Sequence, residues 1–416
     1  MVALGVIKED AQMVVRIAFR NIFRQKRRTV LTVLTMFGGY TLASIGISWS
    51  DGTYANITDI ITRYRFGHIQ LHKEGYRDSP SLYNVIHNVE QVGAAAQAIE
   101  GVQAWAPRIY ASGLASVGEK SAGVRIIGVD PGREMSATRL ESKIVRGAYF
   151  SGPHARQAII GGGLAKILGA SPADEVVVVS QAADGSIAND IYQIAGIADS
   201  GNPAEDRAAL YLALPQAQEL LALENRAHEI VIIAKESKQV RQLAGRLEES
   251  FAHRSLAAAP WQVFAKSIYE AMKADQKAGW ITIAVIILVV AVGVLNTVLM
   301  SVLERRREYG ALRALGTSPT GIFRLVMHEV GIMAAAGILI GAGAALLANY
   351  ILSIHGLSLP EPFHYGGMEF PKMYAEINLR SMLIPAAAVA LSASLVAVFP
   401  ALKASRTPPA RAMRTH

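Results

Sequence analysis

Glu304–Gly316, ERRREYGALRALG, sets three consecutive arginines directly after a long apolar run, and that junction decides how the chain is read. The run before it, Ala278 to Leu303, holds no Asp, Glu, Lys or Arg. Its roughly 26 residues, at about 1.5 Å per helical residue, suffice to cross a bilayer core. Arg305, Arg306 and Arg307 end the crossing, because an arginine at mid-depth costs about 2.5 to 3.5 kcal/mol, and their sign marks the cytoplasmic face.

Working outward, three further runs have the same character: Thr29 to Ser50, Val330 to Ile354 and Ser381 to Leu402. Each is free of Asp, Glu, Lys and Arg over the length a tilted helix needs. Basic residues crowd the chain before the first run (Arg16, Arg20, Arg24, Lys26, Arg27, Arg28), between the second and third, and after the fourth (Lys403, Arg406, Arg411, Arg414). The short stretch between third and fourth, 355–380, has only Lys372 and Arg380. The expected topology therefore has both termini cytoplasmic, spans at 29–50, 278–303, 330–354 and 381–402, and segment 51–277 outside. The first span is expected to be an uncleaved signal anchor, since its apolar part exceeds a usual signal-peptide core.

Composition agrees. Of 416 residues 51% are hydrophobic and 18% charged, and the mean hydropathy is +0.28, which suits spans joined to a sizeable soluble domain. The net charge of +8 is explained by basic residues beside the apolar runs, so nucleic-acid binding is not expected. The absence of cysteine excludes disulfides, thiolate metal sites and a cysteine nucleophile.

Ahead of the first span, 1–28 predicts an amphipathic helix lying in the cytoplasmic membrane interface. Val15, Ala18, Phe19, Ile22 and Phe23 share a face, and Arg16, Arg20, Arg24 and Arg27 line another. The external segment alternates strand and helix signals. Strands are expected at 67–72, 102–117, 124–129, 158–160, 176–180, 192–197 and 229–234, and helices around 89–99, after Gly163 and at 238–250. Strand, helix, strand at both ends predicts a split βαβ subdomain with an inserted, mostly β subdomain at about 130–223, an α+β domain overall. A helix from Trp261 is expected to run unbroken into the second span, since no proline intervenes before Trp280.

Several chemistries are missing. Gly161, Gly162 and Gly163 are not followed by GK[ST], so they predict a tight strand-to-helix turn and no Walker A loop. Asn296 and Thr297 are the notable polar pair inside the spans, where a helix contact, or less readily a substrate contact, would use them. His68 and His72 share a strand face without a third ligand at metal spacing. No hydrolase elbow or zincin helix is present. No cofactor, metal or catalytic residue is therefore assigned, and the chain is not expected to be an enzyme.

The stretch ERRREYGALRALGTSPTGIFRLVMHE, Glu304 to Glu329, resembles the segment after the second span in ABC transporter permeases of the macrolide-exporter, FtsX and lipoprotein-releasing type. AFRNIFRQKRRTVLT (Ala18 to Thr32) is similar to that family's N-terminal helix and first span. GHIQLHKEGY (Gly67 to Tyr76), IIGGGLAKILGA (Ile159 to Ala170) and PALKASRTPPARAMR (Pro400 to Arg414) are similar to the lipoprotein-releasing branch. The resemblance implies a four-span inner-membrane permease with a large periplasmic domain. It would act as a dimer, of itself or with a related permease, beside two copies of a cytoplasmic ATPase that carry ATP and Mg. The fused ATPase domain of the macrolide-exporter branch is missing here, so the nucleotide site is expected on another polypeptide.

On this reading the loop 304–329 receives the ATPase. Glu304 and Glu308 form an i, i+4 pair, Arg305 and Arg313 can face outwards, and Leu312, Leu315, Ile322 and Phe323 offer apolar anchors. Gly316, Thr317, Ser318 and Pro319 break the helix so that another starts near Thr320. The expected function is ATP-driven extraction or handing on of lipoprotein or other amphiphilic cargo at the outer face of the membrane, with a periplasmic carrier, adaptor or lipoprotein as partner. Export of peptide or drug through an adaptor, and mechanical activation of a cell-wall hydrolase, are the alternatives.

Overall fold

The computed structural model describes residues 18–21, 24, 26–365 and 367–408. Arg16, Phe23 and their apolar companions Val15 and Ile22 lie outside the described residues, as does the tail beyond Pro408. The chain divides into two compact units, one of Met1–Tyr54, Met272–Ser358 and Lys372–His416, the other of Ala55–Ala271 and Leu359–Pro371.

The first unit is helical. Four helices are long and apolar enough to cross a membrane: α1 (Lys26–Ile61), α2 (Lys266–Glu304), α4 (Pro319–His355) and α5 (Leu379–Ser405); a short α3 (Arg306–Ala314) joins α2 to α4. Their packing follows from four-residue stripes. Val290, Val294, Val298 and Val302 form the buried edge of α2, and Val389, Ala393, Ala397 and Ala401 that of α5. On α4 the stripe is Gly337, Gly341, Ala345 and Asn349. A Cβ on Gly337 would stand 2.8 Å from that of Met36, and one on Gly341 2.8 Å from the Tyr40 ring. Small residues at this spacing let helix backbones close up where lipid offers no hydrophobic drive. The remaining faces keep large apolar side chains outward, among them Ile281, Leu288, Leu339, Leu383 and Leu395, each more than 60% exposed.

The second unit is a ten-stranded sheet with helices against it. Its strands, in chain order, are β1 (Ile69–Lys73), β3 (Val102–Val117), β4 (Lys120–Val129), β5 (Ile144–Gly147), β6 (Gln157–Gly161), β7 (Glu175–Gln181), β8 (Ile187–Ala198), β9 (Ala209–Ala213), β11 (Glu229–Ala234) and β12 (Leu256–Pro260). The short β2 (Ile86–His87) pairs β10 (Arg226–Ala227), and β13 (Leu357–Tyr365) pairs β14 (Met368–Met373). Along the sheet the order is β12, β1, β11, β3, β4, β9, β6, β8, β5, with β7 bridging β3 and β8. The first and last strands of the segment, β1, β11 and β12, lie side by side and antiparallel. β11, EIVIIA, is buried at every position, as suits an interior strand covered on both faces.

The strands within 130–223 join the same sheet: the long β3–β4 hairpin continues into β9, β6 and β8 through parallel β4–β9 pairing, so backbone hydrogen bonding runs on past residue 130. One expectation is corrected here: the helix from Trp261 is interrupted, ending at Phe264, with Ala265 at φ −104°, ψ 39° before α2 begins. Trp261 is held back because its N–H donates to His68 O at 2.9 Å and its buried ring meets Tyr269 edge-on.

Candidate functional site

The turn between α2 and α4 is built by local rules. α2 stops at Glu304 and the chain kinks at Arg305 (φ −88°, ψ 11°) into α3. α3 closes with Gly316 at φ +99°, Gly316 N–H bonding Arg313 O at 3.1 Å and Thr317 N–H bonding Leu312 O at 3.0 Å. This is a Schellman ending, which glycine alone adopts without strain. Ser318 then caps α4, its Oγ accepting from Gly321 N–H at 3.1 Å, with Pro319 in the first helical turn. Gly316, Thr317, Ser318 and Pro319 thus stop one helix and start the next.

An ion-pair network braces this turn. Arg305 Nη1 donates to both Glu329 carboxylate oxygens at 2.9 Å, and its Nε donates to Glu308 Oε2 at 3.0 Å. The guanidinium lies 5.2 Å from the centre of the Tyr309 ring. Asn21 Nδ2 adds a 2.7 Å bond to Glu329, Arg24 pairs with Glu308 at 3.1 Å, and Arg28 pairs with Glu304. The segment before α1, the end of α2, α3 and the start of α4 are therefore tied at one end of the bundle. Burial, reinforced by the Glu329 and Glu308 carboxylates, pushes the Tyr309 hydroxyl well above its usual range. Burial alone would lower Arg305, but Tyr309, Glu329 and Glu308 outweigh it and hold the charge on.

The geometry revises several expected roles. Arg305 does not face outwards: it is 8% exposed, because a guanidinium with two carboxylates in reach is better satisfied inside. Glu304 and Glu308 are partly exposed, but each is engaged by arginines of this chain. Ile322 is fully buried in the bundle core, and Leu312 and Phe323 pack against it, so they are not free anchors. Leu315 is, at 85% exposed, beside exposed Arg306, Arg307, Ala311, Ala314 and Gly316. Arg313 is half-buried. Ala18, expected on a membrane-facing stripe, is buried in the bundle core, while Phe19, Arg20 and Arg24 are exposed. Thr297 bonds the Gly293 carbonyl of its own helix at 2.8 Å, and Asn296 is exposed. Glu329, Asn21 and Tyr309 went unassigned in sequence. A signal existed for Glu329, a carboxylate set immediately before a span where only a partner makes it affordable.

In the sheet unit, a second charged cluster had no sequence signal. Arg108 on β3 forks onto Glu134, Nε to Oε1 at 2.6 Å and Nη2 to Oε2 at 3.0 Å, and also donates to Thr138 at 3.2 Å. Tyr110 OH donates to Glu229 on β11 at 3.2 Å. Burial lifts Glu229 to about 7 against the pull of Arg108, and lowers Lys143 to about 8. A cavity of about 390 Å³ adjoins these groups. His68 accepts from Ala234 N–H, and His72 contacts His228 O and Gln70, so both are occupied in the fold. Among the described residues no three His, Asp or Glu side chains are grouped to hold a metal. Gly161 to Gly163 make a strand-to-helix turn packed against the backbone of Asp206 and Arg207.

With both units in view, comparison with known proteins gives the class. Residues 29–250 match the MacB-like periplasmic core domain, more than half of the chain, and residues 280–409 match the FtsX-like permease C-terminal region. The chain belongs to this family, the ABC transporter permeases of the MacB/FtsX/LolC type. It is 22% identical over 330 residues to the lipoprotein-releasing system transmembrane protein LolC of Neisseria meningitidis serogroup B, covering 76% of this chain and 79% of that one. It is 22% identical over 369 residues to the pyoverdine export ATP-binding/permease protein PvdT of Pseudomonas fluorescens, covering 84% of this chain and 53% of that one. The periplasmic region of MacB from Actinobacillus actinomycetemcomitans aligns over 48% of this chain and 91% of that one, at 12% identity and a TM-score of 0.36.

Proposed function

We propose that this chain is the inner-membrane permease subunit of a complex that uses a separate cytoplasmic ABC ATPase to extract or hand on lipoprotein or other amphiphilic cargo. The braced end of the bundle is cytoplasmic in this reading, and the sheet unit is periplasmic. The observation that carries it is the division of labour in the turn: Arg305, Glu304, Glu308 and Glu329 brace α3 from inside while Leu315 stands out beside Gly316. A helix held by charge on one side and offering an apolar knob on the other can dock in a partner's groove and pass its movement to α2 and α4. ATP and Mg belong to the partner, two copies of which serve a permease pair, of this chain alone or with a related permease.

The likeness to LolC supports lipoprotein cargo, and the likeness to PvdT supports the export alternative. Purification of the tagged chain in mild detergent separates them: recovered ABC ATPase with a lipoprotein or its carrier fits the first, an adaptor with an outer-membrane channel the second. Leu315→Glu should strip the ATPase from a chain that stays monodisperse. Undiminished ATPase recovery by that variant would remove α3 as the docking element.

A further inference from the structure

At the same end of the bundle a groove of about 510 Å³ opens between the end of α2 and the end of α5. Leu303, Phe399 and Leu402 give it an apolar floor, and Arg306, Lys403 and Arg406 stand around it. The three cations are exposed, and none of them pairs with a carboxylate among the described residues. The nearest acidic side chains along the chain, Glu304 and Glu308, are taken by Arg28, Arg24 and Arg305. The groove is thus strongly positive, with no carboxylate among the described residues paired to its cations.

Below it the surface changes character. Leu391, Leu395, Phe399 and Leu402 follow one another at four- and three-residue spacing down α5, each between 41% and 72% exposed. The alanines Ala393, Ala397 and Ala401 are turned the other way into the bundle. α5 is itself apolar enough to cross a membrane, so this stripe lies at acyl-chain depth and the cations at headgroup depth. An acidic protein partner would satisfy the cations and leave the stripe unused.

We propose that this groove binds one anionic phospholipid per chain, its phosphate held by Arg306, Lys403 and Arg406 and its acyl chains laid along Leu395, Phe399 and Leu402. The arginines supply planar donors suited to phosphate oxygens and the lysine a point charge. Because Arg306 begins α3 and the other two residues end α5, an occupied site would tie the coupling turn to the last span.

The test is native mass spectrometry of the full chain in detergent, titrated with equal amounts of phosphatidylglycerol and phosphatidylcholine. The wild-type chain should retain one phosphatidylglycerol with at least tenfold preference. Each cation removed should weaken retention by about fivefold, so Arg306→Gln with Lys403→Gln and Arg406→Gln should abolish the preference. If the triple variant does not purify, Lys403→Gln with Arg406→Gln should still lower retention by more than tenfold. Arg324→Gln removes an exposed charge on α4 outside the groove and should leave retention unchanged. Equal retention of both lipids, unchanged retention in the groove variants, or an equal loss with Arg324→Gln would overturn the site. So would loss of a bound protein partner from the groove variants with lipid preference intact.

Discussion

Among the described residues each unit buries one arginine, and the two are held differently. Arg108 is hydrogen-bonded to one carboxylate, Glu134, through a two-bond fork deep in the sheet unit, with Glu229 farther off at 4.0 Å. Arg305 is shared between Glu329 on α4 and Glu308 on α3, at a helix kink. A fork onto one partner is a lock, because loosening it strands a charge in a low-dielectric interior. A guanidinium divided between carboxylates on two helices is a joint: either helix can shift while the other carboxylate keeps the charge paired. The first arrangement suits a rigid domain and the second suits a turn whose helices can shift.

Breaking the lock should cost most. Glu134→Ala leaves Arg108 buried and short of its main partner, and unfolding followed by Trp105 fluorescence should show about 3 to 5 kcal/mol lost. Arg108→Met with Glu134→Leu should restore most of it. If the single variant unfolds like wild type, the cluster is not a lock.

Next comes a pH experiment on the same unit. Glu229 is lifted to about 7 by burial, so between about 4.5 and 7 the folded state binds more protons than the unfolded one, and stability falls as pH rises through that window. His68 and His72 are lowered to about 4, again by burial, so their contribution is full above about 6.5 and is lost as pH falls towards 4. The two trends oppose. Glu229→Gln should therefore gain up to about 3 kcal/mol over wild type at pH 8 and nothing at pH 4, leaving the histidine slope exposed. Parallel pH profiles for the two proteins would remove Glu229 as their source.

The joint should be softer. Glu329→Gln leaves Arg305 with Glu308, and a loss of about 1 to 3 kcal/mol is expected, with a larger effect on ATPase stimulation than on melting temperature. An effect as large as that of Glu134→Ala would make Arg305 a second lock. Smallest are the rim pairs: Arg24→Ala, breaking a pair whose arginine is 74% exposed, should cost less than about 1 kcal/mol in a thermal melt and fade with salt. A salt-insensitive loss would place that pair inside the joint.

Much of the bundle was legible in the chain. Apolar runs free of charge have one favourable environment, so the four long helices follow from hydropathy alone. Gly316, Ser318 and Pro319 act through their own backbone geometry, which is why that turn could be drawn without its surroundings. Arg305 could not be judged this way, since an arginine is outward or inward according to carboxylates that sequence spacing does not bring to it. Glu329 lies 24 residues away in the chain and Arg108 has Glu134 at 26, separations that only packing turns into contacts. The continuity of the sheet was illegible for the same reason: strand signals are local, but whether β9 and β6 extend one sheet or begin another is settled by pairing between distant segments.

By itself, then, the sequence determined what is set residue by residue: which segments can lie in hydrocarbon, where α3 must stop, and where positive charge gathers. Tertiary structure decided which charges are buried, that Glu304 and Glu308 are braces of this chain, and that Leu315 stands out of the turn as an exposed large apolar side chain. The reason is that transfer energies and backbone preferences belong to single residues, whereas the sign of a buried charge's contribution depends on partners that the fold alone delivers.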